Sequence, residues 1–315
     1  MEALYAHLRR YDPAAWRRAI ETLSAEIPPI DRDATRIWFA FFPLELCLAF
    51  EAAADPAALA RDLRLMGTWR LADQINASHC FLYGHRYWPQ VKLAVETIDR
   101  LPEQLAELIT IVAESATRRA RVDRDQLLGI TAVGLMTLRQ AGVQAFAATT
   151  AKIMLSPAAR AMTPHQTLAR RARDDWQGPL GFTRGLMKRW TVTFDENDPE
   201  ATFPLINGQE IASAARDDKR EHRARDPRCI PGEGPIPVEC RAASCGTCWV
   251  GMLGGREKLS AVVDRDEATR MRVFGYVDTG EPRPLIRLAC QAKASGAVSV
   301  VIPPWNGICG KIMPR

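Results

Sequence analysis

The sequence predicts a multi-domain protein, an all-α N-terminal domain followed by an α+β C-terminal domain. Three observations carry this. A chain of 315 residues suits about two domains at roughly 150 residues each. Apolar residues recur three and four apart as far as about residue 175, the period of an amphipathic helix. Past the glycine- and proline-rich segment Trp176-Gln-Gly-Pro-Leu-Gly181, that period gives way to short strand-like runs. The expected division is residues 1–175 as a helical docking or scaffold domain, 176–187 as a linker, and 188–315 as the α+β domain.

In the first region the helical spacing is explicit in Leu105, Leu108 and Val112, and again in Leu127, Leu128, Val133 and Leu135. Alanine, leucine and arginine, good helix formers, dominate. Asp12-Pro13, Pro28-Pro29, Asp55-Pro56, Pro89, Pro102, Pro157 and Pro164 mark the joints, since proline suits a first helical turn and interrupts a helix elsewhere. Seven to nine helices are expected. In the second region, strands are expected at Trp190–Phe194, Thr202–Ile206, Cys248–Leu253, Leu285–Cys290 and Val298–Ile302. Asn207-Gly208 is a turn dipeptide expected to close a hairpin between the first two. Ile211–Asp217 and Asp264–Phe274 read as short helices packed on the sheet.

Composition narrows the function. The 42 basic and 37 acidic residues leave a net charge of +5. Neither part of the chain carries the basic field of a dedicated nucleic-acid binder. The most apolar stretch, Ile37 to Phe50, is broken by Pro43 and Glu45 and is shorter than the about 20 residues a spanning helix needs. It reads as a core helix, with peripheral membrane contact as the alternative. With no secretory pattern in Met1–Tyr11, the expected compartment is the cytoplasm. There, eight cysteines point to metal ligands or free thiols before disulfides.

The strongest chemical signal is Cys240-Arg-Ala-Ala-Ser-Cys245-Gly-Thr-Cys248, with a further cysteine in Leu288-Ala-Cys290-Gln. The C-x4-C-x2-C spacing with a distant fourth cysteine is the plant-type 2Fe–2S spacing. Three ligands on one tight loop need small residues between them. Gly246 permits φ > 0, and Ala242, Ala243, Ser244 and Thr247 allow backbone N–H groups to turn toward the sulfurs. Structural zinc and unligated thiols are the alternatives; zinc sites usually use two separated short pairs, and only one C-x2-C stands here.

At these residues the chain resembles the plant-type 2Fe–2S ferredoxin domain. The likeness covers about residues 188–304 and includes the closing run Val298-Ser-Val-Val-Ile302-Pro303. It implies a β-grasp fold, a mixed sheet with a helix across it and the cluster loop at one edge, and one-electron transfer. It also implies that Cys240 and Cys245 hold one iron and Cys248 and Cys290 the other. The family often has glycine where Ala243 stands. The stretch from Cys248 to Cys290 is longer than in compact plant ferredoxins, and residues 219–235 look like an insertion. Plant ferredoxins are strongly acidic, unlike this domain.

Other residues have quieter readings. Cys229 and Cys309 read as incidental thiols and Cys47 as core. His79 and His85 are six apart, not the i, i+4 pair of a helical metal site. They read as part of a packed, hydrogen-bonded aromatic cluster or a docking surface, with a metal or haem site as the alternative. Arg118, Arg119, Arg121 and Arg124 read as a solvated helix face. No G-x-G-x-x-G or G-x4-G-K-[ST] loop marks a nucleotide domain. The expected function is therefore one-electron transfer, with the helical domain docking the cluster module to a dedicated redox protein or multi-subunit oxidoreductase complex. The alternatives are a redox sensor, or an oxidoreductase subunit with its site in the helical domain.

Overall fold

A computed structural model describes residues 1–179, 185, 187–262, 265–276 and 281–307. They form two compact units: Met1–Cys47 with Arg70–Leu168, and Leu48–Trp69 with Ala169 onward. An all-α region and a sheet-bearing α+β region are both present, as the periodicities require.

The helices run in order α1 (Glu2–Leu8), α2 (Pro13–Leu23), α3 (Pro29–Phe41), α4 (Leu44–Ala52) and α5 (Pro56–Asp62). After the short strand β1 (Met66–Gly67) come α6 (Trp88–Thr97), α7 (Leu105–Ala120), α8 (Asp125–Ala148), α9 (Pro157–Ala161) and α10 (Pro164–Arg170). The proline joints work as N-termini. Asp12, Asp55 and Ser156 each stand before a proline and accept a backbone N–H three residues on, at 2.6, 2.9 and 3.1 Å, satisfying one of the orphan donors of a first turn.

The core of the first unit is α8, buried on all sides from Leu127 to Arg139 and packed against α1, α3, α6 and α7. A helix apolar all round belongs at such a centre. It breaks at Gly142, whose φ of 81° suits glycine. Leu105, Leu108, Ile109, Val112 and Ala116 form the buried face of α7. The helical period does not hold throughout, however. Leu71–Tyr87 is a run of turns and 3-10 segments without an α-helix. Its course is fixed by the buried Asp31 carboxylate, which accepts Tyr83 N–H at 2.6 Å and Gly84 N–H at 2.7 Å. The apolar stretch Ile37–Phe50 splits at Phe42-Pro43 between α3 and α4. Among the described residues no helix is long and apolar enough to cross a membrane.

The second unit is built on a five-stranded sheet. Its strands are β2 (Arg189–Thr193), β3 (Thr202–Ile206), β4 (Trp249–Gly254), β5 (Ile286–Leu288) and β6 (Val298–Val301) in the order β3-β2-β6-β4-β5. The central β2–β6 pair is parallel and the others antiparallel, giving a mixed sheet. Helix α11 (Ile211–Asp217) packs on β3 through Ile211, Ala212, Ala214 and Ala215, and α12 spans Arg265–Val273. The final strand β7 (Trp305–Asn306) pairs with β1, Met66 facing Asn306.

One turn differs from expectation. Asn207-Gly208 follows β3 and leads toward α11, so it does not close the β2–β3 hairpin. That hairpin turns at 194–201, where the carboxylates of Asp195 and Asp198 each accept a backbone N–H two residues on at 2.9 Å, a local capping habit of aspartate. Two pieces of the stretch expected to be helical domain also join the sheet unit. Leu48–Trp69 brings β1. Ala169–Asp175 lies along the sheet, with Asp174 accepting Lys258 Nζ at 2.7 Å and Ala297 N–H at 2.9 Å. Of the expected linker 176–187, residues 180–184 and 186 lie outside the described residues, as does Cys309.

Candidate metal centre

Sheet register assembles the cysteines. Trp249 faces Leu288 across the β4–β5 ladder. Cys248, just before β4, therefore meets Cys290, just after β5, and Ala289 N–H donates to Cys248 carbonyl at 2.9 Å. The preceding loop carries Cys240 and Cys245 toward the surface: both are half-buried, whereas Cys248 and Cys290 are buried. The thiols stand as two pairs, Cys240 hydrogen-bonded to Cys245 and Cys248 to Cys290. None of the described cysteines is in a disulfide. Among the described residues, no three His, Cys, Asp or Glu side chains gather around a single ion.

The loop bends through left-handed conformations at Arg241 (φ 53°), Ala243 (φ 55°) and Gly246 (φ 70°). These bends aim N–H groups at sulfur. Cys240 Sγ accepts from the backbone of Ser244 and Cys245 at 3.3 Å and of Ala242 at 3.5 Å. Burial pushes the Cys240 thiol up, but hydrogen bonds from Ser244, Cys245 and Ala242 outweigh it and bring the thiol to about 6. Cys290 falls to about 7: the hydrogen bond with Cys248 lowers it, burial opposes, and Gln291 and the Ala243 backbone lower it further. Cys248, the proton-holding partner, is pushed up by that same bond and by burial. Donors aimed at sulfur stabilise thiolate.

A clip from α12 holds this loop, and sequence reasoning missed it. A Cβ on Gly246 would lie 2.0 Å from the Phe274 ring, so only glycine fits beneath it. Phe274 also meets Trp249 edge-on at 5.4 Å, and Arg270 Nε donates to Ala243 carbonyl at 3.2 Å. The helix is anchored by Glu267 and Arg287, side chains each 1% exposed, in a two-pronged pair at 2.8 and 3.0 Å. Glu267 Oε1 also accepts Leu288 N–H at 2.8 Å. The available signal was Arg287 itself: a charge in the apolar run Leu285-Ile-Arg-Leu-Ala-Cys290 needs a buried partner. Thr247 adds a second brace, with Oγ1 3.1 Å from Cys245 Sγ and accepting Glu239 N–H at 3.0 Å.

The remaining candidates separate from this centre. Cys229 is buried, donates to Pro235 carbonyl at 3.3 Å, and is pushed up to about 11 by burial, with Asp226 adding. Cys47 and Cys80 are half-buried. The basic stretch 219–228 is largely tied down: Arg225 pairs with Asp198, and Arg228 reaches Asp226 at 2.6 Å and Pro303 carbonyl at 2.5 Å. Arg118, Arg119 and Arg121 are exposed, and Arg124 pairs with Glu26 at 2.5 Å. In the helical unit a cleft of about 410 Å³ lies between Tyr83, Arg86 and Tyr87 and the segment Ile153–Pro164. The donors of Arg86 there go to the carbonyls of Tyr83, Met162 and Ala159. His79 and His85 are packed together in the same unit with Trp88 against His79, and the cluster is hydrogen-bonded through Ser78 to His79 Nδ1 at 3.3 Å and from Trp88 Nε1 to Asn76 at 3.1 Å.

Residues 231–295 match the family profile of the 2Fe-2S iron-sulfur cluster binding domain, and all four cysteines lie within that span. The donor set fits such a cluster, offering thiols in pairs with backbone donors already turned to sulfur. This part of the chain is a 2Fe–2S cluster-binding domain. The helical region matches no family, and no curated protein and no solved structure matches the chain.

Proposed function

We propose that the chain is a one-electron transfer protein in which Cys240, Cys245, Cys248 and Cys290 ligate the 2Fe–2S cluster. The observation that carries this is the pairing of four thiols inside the matched domain, with N–H donors aimed at sulfur. When bound, the cluster supplies reversible one-electron chemistry at a potential tuned by such donors and by burial. The chain's own residues do the rest. Cys240 and Cys245 hold the outer edge, half-buried, where a partner approaches most closely. Cys248 and Cys290 fix the inner edge to β4 and β5. The α12 clip and Thr247 hold the loop in the ligating conformation, so little reorganisation accompanies electron transfer.

The partner in this reading is a separate redox protein or a multi-subunit oxidoreductase complex, and the helical unit supplies much of the docking surface. With a net charge of only +5, docking relies on apolar and specific polar contacts more than on long-range steering. Protein made anaerobically should hold two irons and two acid-labile sulfides per chain and give a rhombic paramagnetic signal when reduced. Alanine at any of the four cysteines should abolish that signal, while alanine at Cys47, Cys80 or Cys229 should leave it. Zinc in place of iron, or a cluster that survives Cys240→Ala, overturns the assignment. Electron transfer to a partner co-purified from the native host should fall only modestly as ionic strength rises.

A further inference from the structure

His79 and His85 lie in the turn-rich segment of the helical unit, both 0% exposed. Their ring centres are 4.9 Å apart, and Trp88 covers His79 at 4.4 Å. His79 Nδ1 has the Ser78 hydroxyl at 3.3 Å. His79 Nε2 and both nitrogens of His85 have no hydrogen-bond partner. Buried polar groups are ordinarily hydrogen-bonded, and three left unpaired on adjacent rings call for something that uses them.

The chemistry of the atoms narrows the choice. A neutral imidazole carries one ring-nitrogen lone pair that a metal can take. At His79 the contact to Ser78 occupies Nδ1, an outer-shell arrangement that orients a ligating ring and leaves Nε2 to bind. The spacing fits one shared ion. A metal about 2.0–2.1 Å from an imidazole nitrogen lies roughly 3 Å from the ring centre, so two rings meeting at a tetrahedral angle have centres about 5 Å apart.

The surroundings are built to hold the rings. Asp31 fixes the peptides of Tyr83 and Gly84 just before His85. Gly84 lies so close to α8 that a Cβ there would sit 2.9 Å from Ile130. The next residue, Thr131, carries another buried oxygen without a partner.

We propose that His79 and His85 form a second metal site, for a late first-row divalent ion of the zinc class, each giving one imidazole nitrogen. Imidazole nitrogen suits zinc and its first-row neighbours.

The test uses the full chain with its 2Fe–2S cluster intact. Protein is equilibrated with Zn2+, passed over a desalting column, and assayed for zinc, iron and sulfide in the same sample. One zinc retained beside two irons is expected, with loss of the zinc and not the iron in His79→Leu or His85→Phe. X-ray absorption at the zinc edge of the wild-type protein stands independently of whether those variants fold, and should show scattering from two imidazoles. Failure to retain zinc, equal retention in both variants, or a sulfur-only shell overturns the proposal. Failure of the iron assay alone would bear on the cluster assignment and not on this site.

Discussion

Replacing Glu267 with leucine tests the α12 clip. The substitution strands the buried Arg287 guanidinium, which retains Ser260 carbonyl at 2.8 Å but loses both carboxylate bonds. It also removes the acceptor of Leu288 N–H, two residues before Cys290. Breaking a buried ion pair by removing one partner costs about 3–5 kcal/mol. With a urea slope of about 2 kcal/mol/M, that is a midpoint shift of roughly 2 M. The double variant Glu267→Leu/Arg287→Met removes both charges, leaving chiefly the unpaired Leu288 N–H at about 1–3 kcal/mol. The double should therefore be more stable than the single by about 2 kcal/mol. The assay is urea unfolding of cluster-loaded protein, followed in parallel by visible cluster absorbance and far-ultraviolet dichroism. A single variant within about 0.5 kcal/mol of wild type would refute the reasoning. A double variant as unstable as the single would show that the carboxylate serves the Leu288 N–H alone.

Three further outcomes are expected. Gly246→Ala should lower iron and sulfide per chain and hasten cluster loss, because the added methyl meets Phe274 at a left-handed φ of 70°; normal iron content would contradict this. Ala243→Gly should slow cluster loss and stabilise the domain by about 0.5–1 kcal/mol, since an L-residue in the left-handed region costs roughly 1–2 kcal/mol and glycine returns part of that in chain entropy; a lower urea midpoint would refute it. Cys229, pushed up to about 11 from an ordinary 9.0, should label with a thiolate-specific reagent at pH 8 about 100-fold more slowly than an ordinary thiol. Its folded state keeps the proton longer than the unfolded chain does. Its contribution to stability is therefore full below pH 9 and lost as pH rises through about 11, and equal labelling in folded and unfolded protein would contradict the shift.

The ligand loop was legible because its signal is local. Three cysteines at fixed spacing and Gly246 announce a metal loop before any tertiary contact is known, and the apolar run ending Leu288-Ala-Cys290 points to the strand beside the fourth, although β5 ends at Leu288 and Cys290 lies two residues past it. Strand positions followed from runs such as Val298–Ile302, where β6 covers Val298–Val301 and all four of its residues are buried. What escaped notice depends on partners distant in sequence. Glu267 looks like one acid in an arginine-rich helix until Arg287 is seen beside it. Met66-Gly67 carries no strand period because two residues are too few to show one. The turn at Asp195–Ala201 is held by the side chains of Asp195 and Asp198 bonding backbone two residues on, which no dipeptide announces, whereas Asn207-Gly208 offered a familiar dipeptide in the wrong place. That His79 Nε2 and both nitrogens of His85 go without hydrogen bonds is a property of packing that spacing does not encode.

The pairing of Met66 with Asn306 has a consequence for the order of events during synthesis. β7 follows β1 by roughly 240 residues, so their contact cannot form until that length of chain has been made. Until then the sheet unit lacks a strand pair whose first member was made long before. Its completion thus reports that synthesis has passed β7. A gene fragment starting at residue 176 would encode the cluster loop yet leave β7 without its neighbour. The two units are in this sense interleaved along the gene, and recombination at a single point between them would not exchange either one intact.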